Sequence, residues 1–214
     1  FSLNFEVVRG SVTKQVGGAE VVACPVLRRL ISLGVGAQGA IREAAGPELE
    51  EAVAQLDVPL PELAVLLVPG GDLCHRVALT VAEPPAGLSR SRPGGPREQV
   101  PAILEYLERV HANLLTAVRE AGFRSLAMPT LCTGCIGMPP HLVAFAALRA
   151  ARHDFLLHPS DPIRVRVACF ELDHMPAFNI IKDEVISSFF DPDAADRRIW
   201  SALFRPGETP GSCE

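Results

Sequence analysis

Short apolar runs alternate along this chain with longer segments whose apolar residues recur at helical spacing. Few folds accommodate that alternation, because strands that are apolar on both sides belong in a sheet with helices on its two faces. The expected strands span residues 3–9, 19–24, 63–69, 76–82, 125–129 and 164–172. The expected helices include residues 99–122, 141–155 and 177–190, one that begins near Ala40, one that begins at Pro47 and a short one that ends at Gly34. The predicted fold class is therefore α/β, with a largely parallel or mixed sheet covered on both faces.

The length of the chain, 214 residues, suits one sizeable core, and its aromatic content of 6% means that aliphatic residues must build that core. We expect one domain over residues 1–190. Residues 191–214 differ in composition, and we expect a C-terminal extension there, with a short helix and a flexible tail. Trp200, Leu203 and Phe204 form either a packing stripe or a face that binds a protein partner.

Charge and cysteine placement argue against several classes of protein. The net charge of -5 makes nucleic-acid binding an unfavoured function. No apolar run approaches the roughly 20 residues that cross a bilayer, so no membrane association is expected. Cys24 and Cys169 lie inside apolar runs, where free thiols are expected, and this favours an intracellular location in the cytoplasm, the nucleus or both. The chain begins with Phe1 rather than Met, which predicts a segment of a longer protein.

Two glycine-containing segments, residues 34–39 and 132–138, lie where strands lead into helices. In α/β sheets, ligands bind outside the carboxyl ends of the strands. A diphosphate needs several converging backbone N–H donors, and glycine lets the backbone approach closely while a helix N-terminus adds a favourable dipole. Either segment alone is better explained as an ordinary tight turn, but side by side the two can hold a pyrophosphate between them.

Read in order, these segments and their neighbours resemble a macrodomain. The stretch GVGAQGAIREAAGPELEEAV resembles the first phosphate loop and helix of that family, and SLAMPTLCTGCIGMPP resembles the second loop. RGSVTK resembles the G-D-I-T-K that follows the first strand of the family. RVALTVAEP and VRVACFEL resemble two further strands, so that the likeness covers roughly residues 5–190. It implies a three-layer α/β/α sandwich, with a central mixed, mostly parallel sheet and a cleft for ADP-ribose.

The resemblance also implies a set of ligand-binding residues and neither a cofactor nor a metal. After the first strand, Ser11 and Val12 would contact the ligand, and Phe170 or Phe178 would lie against the adenine. The first loop would comprise Gly34, Gly36, Ala37, Gln38, Gly39, Ala40 and Ile41. The second loop, around the diphosphate and distal ribose, would comprise Cys132, Thr133, Gly134, Cys135, Ile136 and Gly137.

The chain departs from the family pattern at four places that matter for chemistry. Ser11 replaces an Asp that usually accepts from the adenine amino group, and Gln38 replaces the Asp of V-D-G-A-I. The family's N-A-A-N stretch is VVACPV here, and Ile136 replaces a common aromatic residue. None of the residues that resemble the family's catalytic set remains. Diphosphate binding would then depend mainly on backbone amides.

Three hypotheses follow for function. The first is a module that binds ADP-ribose or a related nucleotide diphosphate, either free or on an ADP-ribosylated protein. The second is a protein-interaction scaffold of the same fold without nucleotide binding, and the third is a divergent ADP-ribosyl hydrolase. The missing catalytic residues favour binding over hydrolysis, although they leave the question of enzymatic activity open.

Cys132 and Cys135 form a C-x-x-C pair, a spacing found in redox sites and in halves of zinc sites. A structural zinc site needs four ligands, and the sequence contains no second C-x-x-C and no H-x-x-x-H. The macrodomain loop accounts for the spacing without either chemistry.

Overall fold

A computed structural model of the chain describes residues 1, 3–30, 35–85, 88 and 99–203. Within them, six strands form one sheet in the order β1-β6-β5-β2-β4-β3. The strands are β1 (Phe5–Arg9), β2 (Val21–Val26), β3 (Val65–Pro69), β4 (Arg76–Val81), β5 (Ser125–Pro129) and β6 (Arg164–Cys169). The helices are α1 (Gly36–Ala45), α2 (Pro47–Ala54), α3 (Val100–Glu120), α4 (Pro140–Leu157), α5 (His174–Ser187) and α6 (Pro192–Leu203).

The sheet is mixed and mostly parallel. β3 pairs with β4 in antiparallel fashion, and the other four pairings are parallel. The carboxyl ends of β1, β2, β4, β5 and β6 therefore lie at one edge of the sheet, and the loops that follow them meet there.

Strand β2 shows how one buried strand serves two cores. Val21 and Ala23 face the larger core, which α3, α4 and α5 cover, whereas Val22 and Cys24 face the smaller core beneath α1 and α2. All four side chains are fully buried, because alternate residues of a strand point to opposite faces and both faces carry helices. The predicted three-layer α/β/α sandwich is confirmed.

Two early segments differ from the prediction. The predicted short helix before Gly34 is not seen in its described part, because β2 continues to Val26 and Leu27–Leu30 form a turn closed by the Leu30 N–H and the Leu27 carbonyl at 2.9 Å. Residues 31–34 lie outside the described part of the chain. Helix α1 begins at Gly36, four residues before the predicted start, and Gly36 takes a φ of 66° there.

Helix α5 begins at His174, three residues before the predicted helix. The sequence carries Pro176 at this point, which argues against a helix interior but is compatible with a first helical turn, where backbone N–H groups have no intrahelical partner. This early start brings the side chain of His174 to the carboxyl edge of the sheet, immediately after β6.

The last helix, α6, packs against α5. Ile199 is buried in the larger core, and Asp196 pairs with Arg149 of α4 at 3.4 Å. The side chains of Trp200 and Leu203, together with residues 204–214, lie outside the described part, so the domain boundary at residue 190 and the flexible tail stay predictions. None of the helices in the described ranges has the length and apolar character needed to cross a membrane.

Candidate functional site

A cleft of about 640 Å³ opens at the carboxyl edge of the sheet. Its central part is the loop after β5, here called the β5 loop, with Pro129, Thr130, Cys132, Thr133, Gly134, Cys135 and Ile136 lining the cleft. On one side is the α1 wall, formed by Pro25, Val26, Leu27, Val35, Gly36, Ala37, Gln38 and Ala40. On the other side is the α5 wall, formed by Ala168, Phe170, Glu171 and His174. Ser11, Val12 and Ala82 complete the lining.

The α1 wall presents the N-terminus of a helix to the cleft. Val35 precedes α1 in extended conformation, and within the described residues no side chain caps the helix. The first-turn N–H groups of a helix lack intrahelical partners and carry the positive end of its dipole. Gly36, Ala37 and Gln38 occupy this turn and line the cleft, so the wall can accept negatively charged oxygen atoms.

Gln38 is the polar side chain of the α1 wall. It is 9% exposed, and its Nε2 atom is buried with no hydrogen-bond partner among the described residues. A buried amide donor without a partner is costly, by about 1–3 kcal/mol, so this group stands out among the residues around the cleft.

The far end of α1 is held by the turn between β3 and β4. The N–H of Asp72 donates to the Ala45 carbonyl at 3.1 Å and thereby satisfies an end group of the helix. Gly71 takes a φ of 53°, and a Cβ at this position would overlap the Ala45 oxygen. The glycine is thus required for the close approach that anchors the α1 wall.

The β5 loop has a tightly turned backbone and an open centre. Cys132 takes a φ of 67°, and its carbonyl accepts from the Met138 N–H at 2.8 Å, which closes the loop. Gly137 supports the same turn with a φ of 69°. A Cβ on Gly134 would meet no heavy atom of the described residues within 4 Å, so this residue lines an open part of the cleft.

The C-x-x-C pair does not present two equivalent thiols. Cys132 is buried, and burial raises its pKa to about 12, so that the thiol stays protonated at neutral pH, whereas Cys135 is exposed. Among the described residues, no group of three or more His, Cys, Asp or Glu side chains is arranged to hold a metal ion.

The α5 wall combines an exposed ring with a polar network. Phe170 is 71% exposed at the end of β6, so its ring is accessible to a ligand. His174 is buried, and its Nδ1 lies 3.0 Å from the Thr130 hydroxyl. That hydroxyl lies 2.8 Å from the hydroxyl of Thr133, which also donates to the Thr130 carbonyl at 2.8 Å. Glu171 adds a carboxylate to this wall.

The loop between β1 and β2 is tied to the neighbouring strand. The Gly10 N–H donates to the Cys169 carbonyl at 2.9 Å. Arg166 of β6 pairs with Glu6 at 2.7 Å and donates to the Gln15 carbonyl at 3.3 Å. A Cβ on Gly17 would overlap the Arg166 guanidinium. These contacts hold Ser11 and Val12 beside β6, where both line the cleft.

Most of the residues predicted from the sequence lie around this cleft. Those that line it are Ser11, Val12, Gly36, Ala37, Gln38, Ala40, Cys132, Thr133, Gly134, Cys135, Ile136 and Phe170. Gly39 and Gly137 do not line it, and Gly34 lies outside the described residues. Ile41 and Phe178 do not line it either, because their side chains are fully buried in the cores.

Sequence reasoning missed three polar residues of the cleft, namely Thr130, Glu171 and His174. Thr130 and His174 are 44 residues apart in the chain, and neither belongs to a glycine pattern. The available signal was positional, since both lie within two residues of the end of a predicted strand, and these strands end at one edge of the sheet.

A family model described as Macro domain matches residues 28–147. The chain is 28% identical over 169 residues to an O-acetyl-ADP-ribose deacetylase of Salmonella typhimurium, covering 78% of this chain and 87% of that protein. It is 30% identical over 151 residues to a macro domain-containing protein of Ralstonia nicotianae, covering 71% and 80% of the two chains.

Solved structures of macrodomains are similar to this chain in fold. The Oceanobacillus iheyensis macrodomain with ADP superposes with a TM-score of 0.70 at 26% identity, covering 86% of this chain and 92% of that one. The Trypanosoma brucei macrodomain in complex with ADP-ribose superposes with a TM-score of 0.67 at 23% identity, covering 83% and 68%.

Proposed function

Because this chain belongs to the macro domain family, we propose that its cleft binds ADP-ribose or a closely related nucleotide diphosphate, free or attached to a protein. Relatives with the same fold have been solved with ADP-ribose and with ADP. An ADP-ribosylated protein as partner and an intracellular location remain predictions.

The observation that carries the proposal is the meeting of two backbone segments in one cleft. The uncapped first turn of α1 and the β5 loop, with Gly134 at its open centre, border the same space. Backbone N–H groups and a helix dipole favour binding of a diphosphate there and do not need a lysine or arginine side chain. The cleft volume of about 640 Å³ falls within the range of small-molecule and cofactor sites.

The remaining lining suits the nucleoside part of such a ligand. Phe170 offers an open aromatic face, against which a base can stack. Ser11 lies beside it on the loop held to β6 and provides a neutral hydroxyl, which already bonds the Thr13 hydroxyl at 2.9 Å. Recognition of the base would therefore depend on stacking more than on a charged acceptor.

Hydrolysis is the second candidate, because several relatives carry the name O-acetyl-ADP-ribose deacetylase. On the α1 wall no described residue is acidic, and the one carboxylate among the described lining residues is Glu171 on the α5 wall. A hydrolase needs a positioned general base near its reacting bond. Binding without turnover is thus the function that we favour.

Calorimetric titration with ADP-ribose tests the proposal, with thermal denaturation as a second measurement. We expect saturable heat and a rise in the melting temperature. The absence of both signals at millimolar ligand would refute ADP-ribose binding and favour the scaffold hypothesis. Incubation with O-acetyl-ADP-ribose, followed by chromatography, tests the second candidate, and release of ADP-ribose above the uncatalysed rate would establish hydrolysis.

A further inference from the structure

Thr133, Thr130 and His174 form a continuous hydrogen-bonded chain that lines the cleft, here called the threonine–histidine chain. Thr130 and Thr133 belong to the β5 loop, while His174 opens α5. The threonine–histidine chain therefore links the segment expected to hold the diphosphate with the opposite wall of the cleft. Neither Thr130 nor His174 was among the residues identified from the sequence.

The available protons determine which group donates in each hydrogen bond of the threonine–histidine chain. The Thr133 hydroxyl donates its one proton to the Thr130 carbonyl, so the Thr130 hydroxyl must supply the proton between the two hydroxyls. With its own proton used in this way, the Thr130 hydroxyl accepts from Nδ1–H of His174. The reverse orientation would leave the 2.8 Å contact between Thr133 and the carbonyl without a proton.

This orientation leaves the second ring nitrogen of His174 for a ligand. Nδ1 carries a proton whether the ring is neutral or charged, so the charge change takes place at Nε2. Nε2 lies 3.8 Å from an Asp173 oxygen, beyond hydrogen-bond distance. His174 is 7% exposed, lines the cleft and is held by Thr130, and its protonated form would offer one N–H donor at Nε2.

The electrostatics of the cleft favour this charged form when a diphosphate is present. Among the described residues that line the cleft there is no lysine or arginine, and the ligand brings two negative charges. Ionisable groups near His174 on its own segment are the carboxylates of Glu171 and Asp173. The ionisable groups that the β5 loop brings to the cleft are the thiols of Cys132 and Cys135.

Two further elements that pack against α5 carry ionisable groups. Helix α4 has His141 in its first turn, and burial lowers the pKa of that histidine, so it favours the neutral form. Strand β1 ends at Arg9, which is exposed and does not line the cleft. At the other end of α5, Glu184 pairs with Arg198 of α6 at 3.1 Å.

We propose that His174 is an anion-binding residue of the cleft, which protonates as the ligand binds and donates from Nε2 to a phosphate oxygen, with Thr130 as its positioning residue. The proposal rests on the proposed function, because it assigns a residue to the same site. It also makes ligand binding and proton uptake reciprocal, so that affinity for a diphosphate rises as pH falls.

The test is titration of the 214-residue chain with ADP-ribose at pH 8 and pH 6. Each phosphate of ADP-ribose carries one ester and one anhydride bond, and its single acidic group stays ionised over this range, so a change in affinity reports on the protein. We expect about tenfold tighter binding at pH 6, as for a hydrogen bond to a charged group, and net proton uptake in buffers of different ionisation enthalpy. Adenosine, which carries no phosphate, should bind equally at both pH values.

Variants separate His174 from other histidines. His174→Gln should bind with the same affinity at both pH values, while His75→Gln, at an exposed residue before β4, should keep the tenfold difference. Thr130→Val should reduce the pH effect, and Thr130→Ser should retain it. His111 is fully buried, and burial lowers its pKa to about 4, so it stays neutral in the folded protein over this range.

Each outcome decides between the proposals. Wild-type protein that binds ADP-ribose equally at pH 8 and pH 6, or His174→Gln protein that keeps the full difference, would overturn the role of His174 and leave the proposed function standing. An unchanged pH effect in Thr130→Val would overturn the positioning role of Thr130. Wild-type protein that binds no ADP-ribose at either pH would refute the proposed function itself. Thermal denaturation at each pH establishes that every variant is folded.

Discussion

Within the described residues, the polar groups of the α1 wall lack partners, whereas His174 on the α5 wall is already hydrogen-bonded. In the part of the chain that the structure describes, no side chain caps the first turn of α1 and the Gln38 amide has no partner, while His174 is held through Thr130 and Thr133. Unpaired buried donors carry a cost that a ligand can remove, and a bonded side chain is held in place before the ligand arrives. The difference indicates that a ligand completes one wall and fits against the other.

The largest expected effect comes from removing the support of the α1 wall. Gly71→Ala should lower the free energy of unfolding by about 3 kcal/mol, because the new Cβ overlaps the Ala45 carbonyl and the positive φ is strained. Gly122→Ala is the matched control, since Gly122 also has a positive φ but a Cβ there meets nothing within 4 Å. Chemical denaturation measures both, and equal losses would show that the contact with α1 contributes nothing.

The space between the walls is tested at Gly134. Gly134→Phe should weaken ADP-ribose binding by about 100-fold or more, because the ring would occupy the cleft, whereas Gly134→Ala should have a much smaller effect. Stability should change by no more than about 0.5 kcal/mol, since the Cβ points into open space. Titration and thermal denaturation measure the two quantities, and undiminished binding by the phenylalanine variant would place the ligand elsewhere.

The α5 wall is tested at its exposed ring. Phe170→Ala should weaken ADP-ribose binding about tenfold, the value expected for a base stacked on an aromatic side chain. Phe190→Ala removes a ring that is also exposed but does not line the cleft, and it should leave the affinity unchanged. If the two variants bind alike in calorimetry, Phe170 does not contact the base.

The smallest expected effect sharpens the contrast in hydrogen bonding. Gln38→Met removes the unpaired amide at nearly constant shape and should raise the free energy of unfolding without ligand by about 1 kcal/mol. The same variant should bind ADP-ribose a few-fold more weakly, because a donor to the ligand is lost. Gln55→Met, at an exposed residue, should change neither quantity. A destabilised Gln38→Met protein would mean that the amide is satisfied in solution.

The positions of the strands along the chain and the α/β class could be predicted, because buried strands and amphipathic helices have different periodicities in the sequence. The glycine segments also marked the β5 loop and the α1 wall, since residues of both line the cleft. The prediction of a helix before Gly34 was wrong for the residues that the structure describes there, because the same apolar spacing fits a short turn as well as a helix.

Most of the α5 wall could not be predicted from the sequence. Thr130 and His174 meet because β5 and β6 are neighbours in the sheet and because α5 begins early, and neither fact is encoded in local spacing. The choice between Phe170 and Phe178 likewise depends on which side of a helix faces the core. Phe178 follows the start of α5 by four residues and points inward, whereas Phe170 precedes the helix and stays outside.

The contact between Gly17 and Arg166 bears on how this sequence can change over time. The Arg166 guanidinium occupies the space that any side chain at position 17 would need, and it holds the loop that carries Ser11. A residue larger than glycine at position 17 therefore becomes acceptable only after position 166 has become shorter, and the loop then loses its tether to β6. Across descendants of this chain, the two positions are expected to be replaced as a pair, with the affinity of the cleft changing at the same step.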